Sequence, residues 1–363
     1  MRDRNGHRWL KWVVGLVLTT AMWACADDKN DVGNYNDTLQ LIPYGRTFTD
    51  QGLVTRAEAG VPDGYVSFDV LYPDAMAEPV SFGIYMTPSE ASTLRRVFST
   101  ETGGWLSYLR VKQAQQYYLY GFIPADAPTS SMVTYIDGDF KNGANLFLNG
   151  LDCVTTDDVC VIVGVQDADR ADAPLDMRLG TFSYVGKQKG HNYAGLLVDH
   201  LYSSVTVTIS VDENYLKLRT IKLKQLKFFI DAHSKMNAHV VLEPNTTGAN
   251  PITSLTWDYV SGDEQEAVLF ENAEGMALTS TPYALIGFFS PLVSQQLKVE
   301  SSYDVYDKQG NLVRANCTVV NTLGNKVPFL LNGHKAEVNL KVNPTYLYQM
   351  SESDLNNPTI VIE

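Results

Sequence analysis

Apolar residues in this chain recur at every second position, in short runs set between clusters of Gly, Pro, Asn and Asp. A period of two puts alternate side chains on opposite faces of an extended backbone, so the pattern admits strands and leaves little room for helices. Seven such runs precede residue 200, at 65–70, 80–86, 117–123, 132–136, 145–148, 159–165 and 180–185. Eight follow it, at 204–211, 216–229, 238–242, 284–289, 297–304, 317–320, 336–342 and 359–362. That count predicts an all-β chain of two tandem antiparallel sandwiches. Helical signal is sparse: Thr87-Pro88-Ser89-Glu90 predicts one helix through Phe98, and 103–109 is a weaker candidate.

The most amphipathic pair is 200–210 followed by 216–229. In the second run Leu216, Leu218, Ile221, Leu223, Leu226 and Phe228 alternate with Lys217, Arg219, Lys222, Lys224 and Lys227. The phase slips near Thr220 and Gln225, which predicts bulges there. A row of lysines along the other face guards a sheet against edge-to-edge association.

Charge and composition exclude several functions. The formal net charge is −13, and removing residues 1–24 takes away four cations and one anion, leaving −16 (−13 − 4 + 1). Such a chain lacks the basic face that displaces counterions from a nucleic acid. Six His and four Cys, widely scattered, predict no built-in metal site and no cofactor. There is no Rossmann fingerprint, P-loop, nucleophile elbow or paired-His helix, and no internal repeat of 20–50 residues, so the chain reads as non-enzymatic.

Residues 1–24 have the layout of an exported leader, with Arg2, Arg4, Arg8 and Lys11 ahead of an apolar run that is short for a membrane span. The run ends in Met22-Trp23-Ala24-Cys25, which resembles a bacterial lipobox and implies lipidation of Cys25 and anchorage in the outer membrane. The acidic tether Ala26-Asp27-Asp28-Lys29-Asn30-Asp31 resembles the signal that sends Bacteroidales lipoproteins to the cell surface. Residues 25–56 then read as a lipidated tether with a possible plug strand, 57–199 as one sandwich and 200–363 as a second.

A family resemblance rests on three stretches. His200-Leu201-Tyr202-Ser203-Ser204-Val205-Thr206-Val207 is similar to the strand that opens the C-terminal domain of Bacteroidales fimbrillins, the subunits of type V pili. Tyr117-Tyr118-Leu119-Tyr120-Gly121-Phe122-Ile123-Pro124 resembles their aromatic strand ending in Pro, and Cys160–Val165 the strand after it. The resemblance spans most of the chain. It implies two transthyretin-like sandwiches and a structural or adhesive role in a surface fimbrium, with other pilus subunits and a host or bacterial surface receptor as partners.

The same resemblance implies assembly by strand exchange. An N-terminal strand would fill a groove, an arginine-specific protease would remove it, and a strand of the next subunit would replace it by β-augmentation. Residues 38–44, with Leu39, Leu41 and Pro43 alternating, are the candidate plug. Arg46 and Arg56 are the candidate cleavage points. The C-terminal stretches 345–350 and 359–363 are candidate donors or a final edge strand.

Other chemistry is weaker. Cys153 and Cys160 flank six residues, a spacing that allows a short disulfide loop in an exported protein and leaves Cys317 over as a buried apolar residue. Asp167, Asp169, Asp172 and Asp176 form an acidic cluster without the Gly and terminal Glu of an EF-hand loop, and read as solvated. Asp263, Glu264, Glu266, Glu271 and Glu274 read the same way, and His191, His200, His233, His239 and His334 show no ligand spacing. The rival function is a glycan-binding surface lipoprotein of a polysaccharide-uptake system. It would need Trp105, Tyr108, Tyr117, Trp257, Tyr259, Tyr303 and Tyr306 exposed as stacking platforms.

Overall fold

Strand pairing organises the computed structural model almost throughout, as the alternation requires. The described residues are 35–48, 61–72, 80–88, 93–99, 105–168, 177–187, 191–231, 235–244, 250–260, 262, 265–324, 332–344, 355–356 and 358–362. Asn36–Glu363 forms one unit. Its first strands are β1 (Tyr35–Thr38), β2 (Gln40–Arg46), β3 (Tyr65–Ser67), β4 (Ser81–Thr87), β5 (Leu94–Ser99) and β6 (Trp105–Leu106). Next come β7 (Arg110–Lys112), β8 (Gln116–Ile123), β9 (Ser130–Tyr135), β10 (Ala144–Asp152), β11 (Val154–Thr155) and β12 (Cys160–Ala168). They are followed by β13 (Ser183–Val185), β14 (Tyr193–His200), β15 (Ser203–Val211), β16 (Thr220–Ile230), β17 (Lys235–Leu242) and β18 (Ile252–Val260). The last are β19 (Gln265–Ala277), β20 (Tyr283–Phe289), β21 (Lys298–Tyr306), β22 (Leu312–Thr322), β23 (Lys335–Asn343) and β24 (Thr359–Ile362).

The largest sheet has nine strands and closes on itself. Its order is β12-β14-β2-β6-β5-β4-β8-β13, with β3 alongside β2, and β12 pairs with β8 as well as with β14. One face carries a core of its own, in which Leu39, Leu41, Phe82, Ile84, Trp105, Leu119, Ile162, Leu196 and Val198 meet. The other face, through Tyr120, Phe122, Val161, Val163 and Leu197, joins a larger core shared with the remaining sheets. Burial on both faces explains why β14, Tyr-Ala-Gly-Leu-Leu-Val-Asp-His, is nearly continuous in apolar residues where a half-solvated strand would alternate.

Three further sheets share that larger core. Their orders are β18-β17-β10-β9, β11-β20-β15-β23-β24 and β19-β16-β21-β22. A turn at Leu201 and Tyr202 joins β14 to β15, and strands from either side of it pair as β10 with β17 and as β11 with β20. In β16 the register shifts between Leu223 and Gln225, where the phase slip predicts a bulge. The slip near Thr220 has another cause. Leu216 ends a single helical turn, Glu213–Leu216, capped by the Asp212 carboxylate, and the strand begins only after it.

Both expected helices are absent where the residues are described. β4 runs through Thr87, and Leu94–Ser99 pairs with it as β5, burying Val97 and exposing Arg95 and Arg96. At 103–109, Trp105 pairs with Leu41 and Ser99, which draws the chain into extended form. In both places pairing to a distant strand outweighs a weak local helical preference. One close approach is unforgiving: a Cβ added to Gly121 of β8 would lie 2.2 Å from the Gly83 carbonyl oxygen of β4. Gly121→Ala should therefore cost about 1–3 kcal/mol by overpacking, read as a lowered urea midpoint at unchanged slope. A cost below about 0.5 kcal/mol would mean the two strands part freely.

Candidate functional site

The N-terminal strand is where the fold is assembled differently. β2 lies parallel to β14, with Gln40–Gly45 opposite Tyr193–Val198, whereas its other neighbours, β3 and β6, are antiparallel to it. Leu39, Leu41, Pro43 and Gly45 are buried, Leu39 and Leu41 within the inner core, so the expected alternation matches the buried face of the strand. The flanking backbone is tied as well. Leu39 N–H donates to the Leu109 carbonyl at 2.8 Å, Gln40 N–H to Asn192 at 2.8 Å, and Thr47 N–H to Gly64 at 2.7 Å.

A polar lock fastens the end of this strand to β14. Arg46 Nε donates to Asp199 Oδ1 at 2.9 Å, and its Nη2 donates to the Tyr65 hydroxyl at 3.0 Å. The Tyr65 hydroxyl itself donates to Asp199. The Asp199 side chain is only 6% exposed while that of Arg46 is 35% exposed, so the lock has one dry end and one wet end. Burial works against the Arg46 cation, but Asp199 and then Tyr65 outweigh it and hold the guanidinium above its ordinary value. Burial, reinforced by the Asp199 carboxylate, likewise raises the Tyr65 hydroxyl.

Beside the lock, four side chains converge under the end of β2. Cys160 of β12 stands directly opposite His200 of β14 in the register. His200 Nδ1 lies 2.6 Å from Asp158 Oδ2 and 3.4 Å from Cys160 Sγ, and Cys160 Sγ lies 3.2 Å from the same carboxylate oxygen. The Tyr72 hydroxyl donates to Asp158 Oδ2 and sits 3.4 Å from His200 Nδ1. The other ring nitrogen, Nε2, meets the Arg46 carbonyl, which links this cluster to β2. Phe48 stacks on the imidazole at 3.7 Å between ring centres. The His200 and Asp158 side chains are 0% and 3% exposed. Burial raises the Cys160 thiol well above its usual range, and the Asp158 carboxylate adds to the effect. For His200, burial favours the neutral ring, but Asp158 outweighs it and the shift is upward.

The structure places the other expected site residues as follows. Cys25 and Arg56 lie outside the described residues. Arg46 ends β2 inside the lock. Cys153 and Cys160 are not joined: both are free buried thiols, Cys153 in the larger core and Cys160 in the inner one. Cys317 is buried, as expected of a small apolar residue. Asp167 accepts a hydrogen bond from Val185 N–H, and the rest of that acidic cluster lies outside the described residues. Glu266, Glu271 and Glu274 are solvent-exposed on β19, with Asp263 and Glu264 outside the described residues. Of the histidines, His239 stacks on Phe147 and His191 is exposed, so His200 alone joins a cluster among the described residues.

The aromatic set of the glycan reading is divided between core and surface, with Trp257 and Tyr306 half-buried. Trp105, Tyr117 and Tyr303 are buried, while Tyr108 and Tyr259 are exposed. At the C-terminus, Thr359–Ile362 forms the edge of its own sheet against β23, and 345–350 lies outside the described residues. Sequence reasoning missed Asp158, Asp199, Tyr65 and Tyr72 altogether and treated His200 as part of a strand pattern. The only local signals are Asp158 two residues before Cys160 and Asp199 beside His200.

No family model matches the chain, and no curated protein matches it. Among solved structures it is similar to a candidate cell adhesion protein from Bacteroides uniformis, at 11% identity and a TM-score of 0.37, over 89% of this chain and 98% of that one. It is also similar to a fimbrial protein from Bacteroides vulgatus, at 12% identity and a TM-score of 0.35, over 90% and 98%. A third is a candidate polysaccharide-binding protein from Bacteroides thetaiotaomicron, at 9% identity and a TM-score of 0.29, over 87% and 99%. Likeness this loose decides nothing about function.

Proposed function

We propose that the chain is a non-enzymatic structural or adhesive subunit of a surface fimbrium, anchored through Cys25 and built as two transthyretin-like sandwiches meeting near residue 200. Its N-terminal strand is a removable plug. The observation that carries this reading is β2, a parallel strand supplied by the N-terminal segment that fills the gap between β14 and the β3 and β6 edge. Taking it away would leave the backbone donors and acceptors of Tyr193–Val198 and the seats of Leu39 and Leu41 open. A strand from the next subunit would satisfy both at once. The glycan-binding reading has less support, because three of its seven aromatics are in the core.

The test is brief digestion of the full chain with an arginine-specific protease, read by intact mass and on an unboiled gel. The expected result is one cut, after Arg56, followed by a ladder of heat-labile oligomers. Arg46 should be spared while β2 is seated, since its side chain is held by Asp199 and the next residue by Gly64. Resistance at Arg56, or fragmentation throughout, would sink the plug.

A further inference from the structure

We propose that Asp158, Cys160, His200 and Tyr72 form a binding site for one divalent transition-metal ion, zinc by the chemistry of its donors. The set offers one carboxylate, one thiol and one imidazole, the mixed oxygen, sulfur and nitrogen donors that four-coordinate zinc accepts, with the Tyr72 phenol oxygen beside them for the fourth position. The proposal does not depend on the pilus reading; it needs only the placement of these side chains.

Geometry is the first support. Zinc–sulfur bonds of about 2.3 Å and zinc–nitrogen or zinc–oxygen bonds of about 2.0–2.1 Å place neighbouring donors about 3.3–3.6 Å apart at tetrahedral angles. Cys160 Sγ already lies 3.2 Å from Asp158 Oδ2 and 3.4 Å from His200 Nδ1. Tyr72 Oη lies 3.4 Å from His200 Nδ1. The 2.6 Å contact between His200 and Asp158 has to open by about 0.7–1 Å, and the still closer contact of the Tyr72 hydroxyl with Asp158 by more. Cys160 and His200 are held on paired strands, one directly opposite the other, so the sheet fixes these two donors although they lie 40 residues apart in the chain.

The second support is the hydrogen-bond inventory. Asp158 Oδ2 faces Tyr72, Cys160 and His200 together, while Asp158 Oδ1 is buried with no hydrogen-bond partner among the described residues. Three groups crowded onto one carboxylate oxygen beside an idle one is poor use of a buried acid. A cation among the same atoms would draw on the carboxylate as a ligand and turn the crowding into coordination.

The third is the orientation of the imidazole. Nε2 faces the Arg46 carbonyl, which can only accept, so that nitrogen carries a proton and Nδ1 is the one turned toward the cluster. A ligating histidine is commonly oriented this way, its second N–H given to a backbone carbonyl. Charge balances: Zn²⁺ is met by the Asp158 carboxylate and the Cys160 thiolate, with neutral His200 and Tyr72 completing the set. The thiol proton leaves to the buffer as the sulfur–metal bond forms.

The test uses the full chain with Cys25→Ser, which removes the one thiol outside the described residues. Titration with Co²⁺ should give about one ion per chain, with a sulfur-to-cobalt charge-transfer band and the d–d bands of a four-coordinate site, and Zn²⁺ should displace it. Adding Cys160→Ser should abolish the charge-transfer band, while Cys153→Ser or Cys317→Ser should leave it intact. Because the parent protein is read directly, a variant that fails to fold does not decide the matter. No charge-transfer band in the parent, or a band that survives Cys160→Ser in a folded protein, overturns the site and leaves a hydrogen-bonded cluster.

Discussion

Leu41→Ala should weaken the seating of the N-terminal strand by about 2–5 kcal/mol. Leu41 is 4% exposed, faces the inner core beside Trp105, and is the second residue of β2. The loss combines the transfer of the missing methyl groups with the cavity they leave, and it spans a range because the collapse of the site sets the second part. If β2 is displaceable, the effect belongs to that strand alone. Denaturation of the intact variant should show the full cost, and after Arg56 cleavage and release of the segment the variant and the parent should coincide. In a complementary experiment, a peptide of residues 38–48 should rebind the trimmed parent about 30- to 4,000-fold more tightly than its Leu41→Ala form. A deficit that survives trimming would show that β2 never left.

How much of this could be read in advance depends on where each signal resides. The inner face of β2 was legible because Leu39, Leu41 and Pro43 alternate within one short segment and are buried together. β16 was legible down to its bulge, since a phase slip is a local property of one strand. β19 was not. Only Ala267 and Phe270 are buried along Gln265–Ala277, and its glutamates look like a solvated run because backbone pairing to β16, with two register shifts, holds it in the sheet. β5 misled for a related reason: its Arg95 and Arg96 give no period of two, and only β4 makes it a strand.

The polar groups were hidden more deeply. Asp158 lies between Cys153 and Cys160, whose spacing allows a disulfide, yet the fold places those two thiols in different cores. Cys160 meets His200 through antiparallel register across 40 residues, and Arg46 meets Asp199 through a parallel pairing across 153. No periodicity within a strand encodes which residue will stand beside it. Such contacts are fixed only when distant strands choose their partners, which is why the faces were readable and the site was not.

Arg46→Met should destabilise the intact protein by about 2–4 kcal/mol, the second large effect expected. The substitution keeps a long apolar stem but removes the cation, leaving the Asp199 carboxylate buried with the Tyr65 hydroxyl as its one remaining hydrogen-bond partner among the described residues. The cost should fall short of a fully dry pair, since Arg46 keeps about a third of its side-chain surface in water. Adding Asp199→Asn should recover much of the loss, because the stranded charge disappears and the amide can still bond Tyr65. The double-mutant cycle is therefore expected to give a coupling of at least 1 kcal/mol, with Asp199→Asn alone harmful as well. Additive single effects would mean that Arg46 and Asp199 merely sit together. Strong coupling in the intact chain that vanishes after the N-terminal segment is released would identify the pair as the fastening of that one strand, because Asp199 would then face an open groove and water in place of a lost cation.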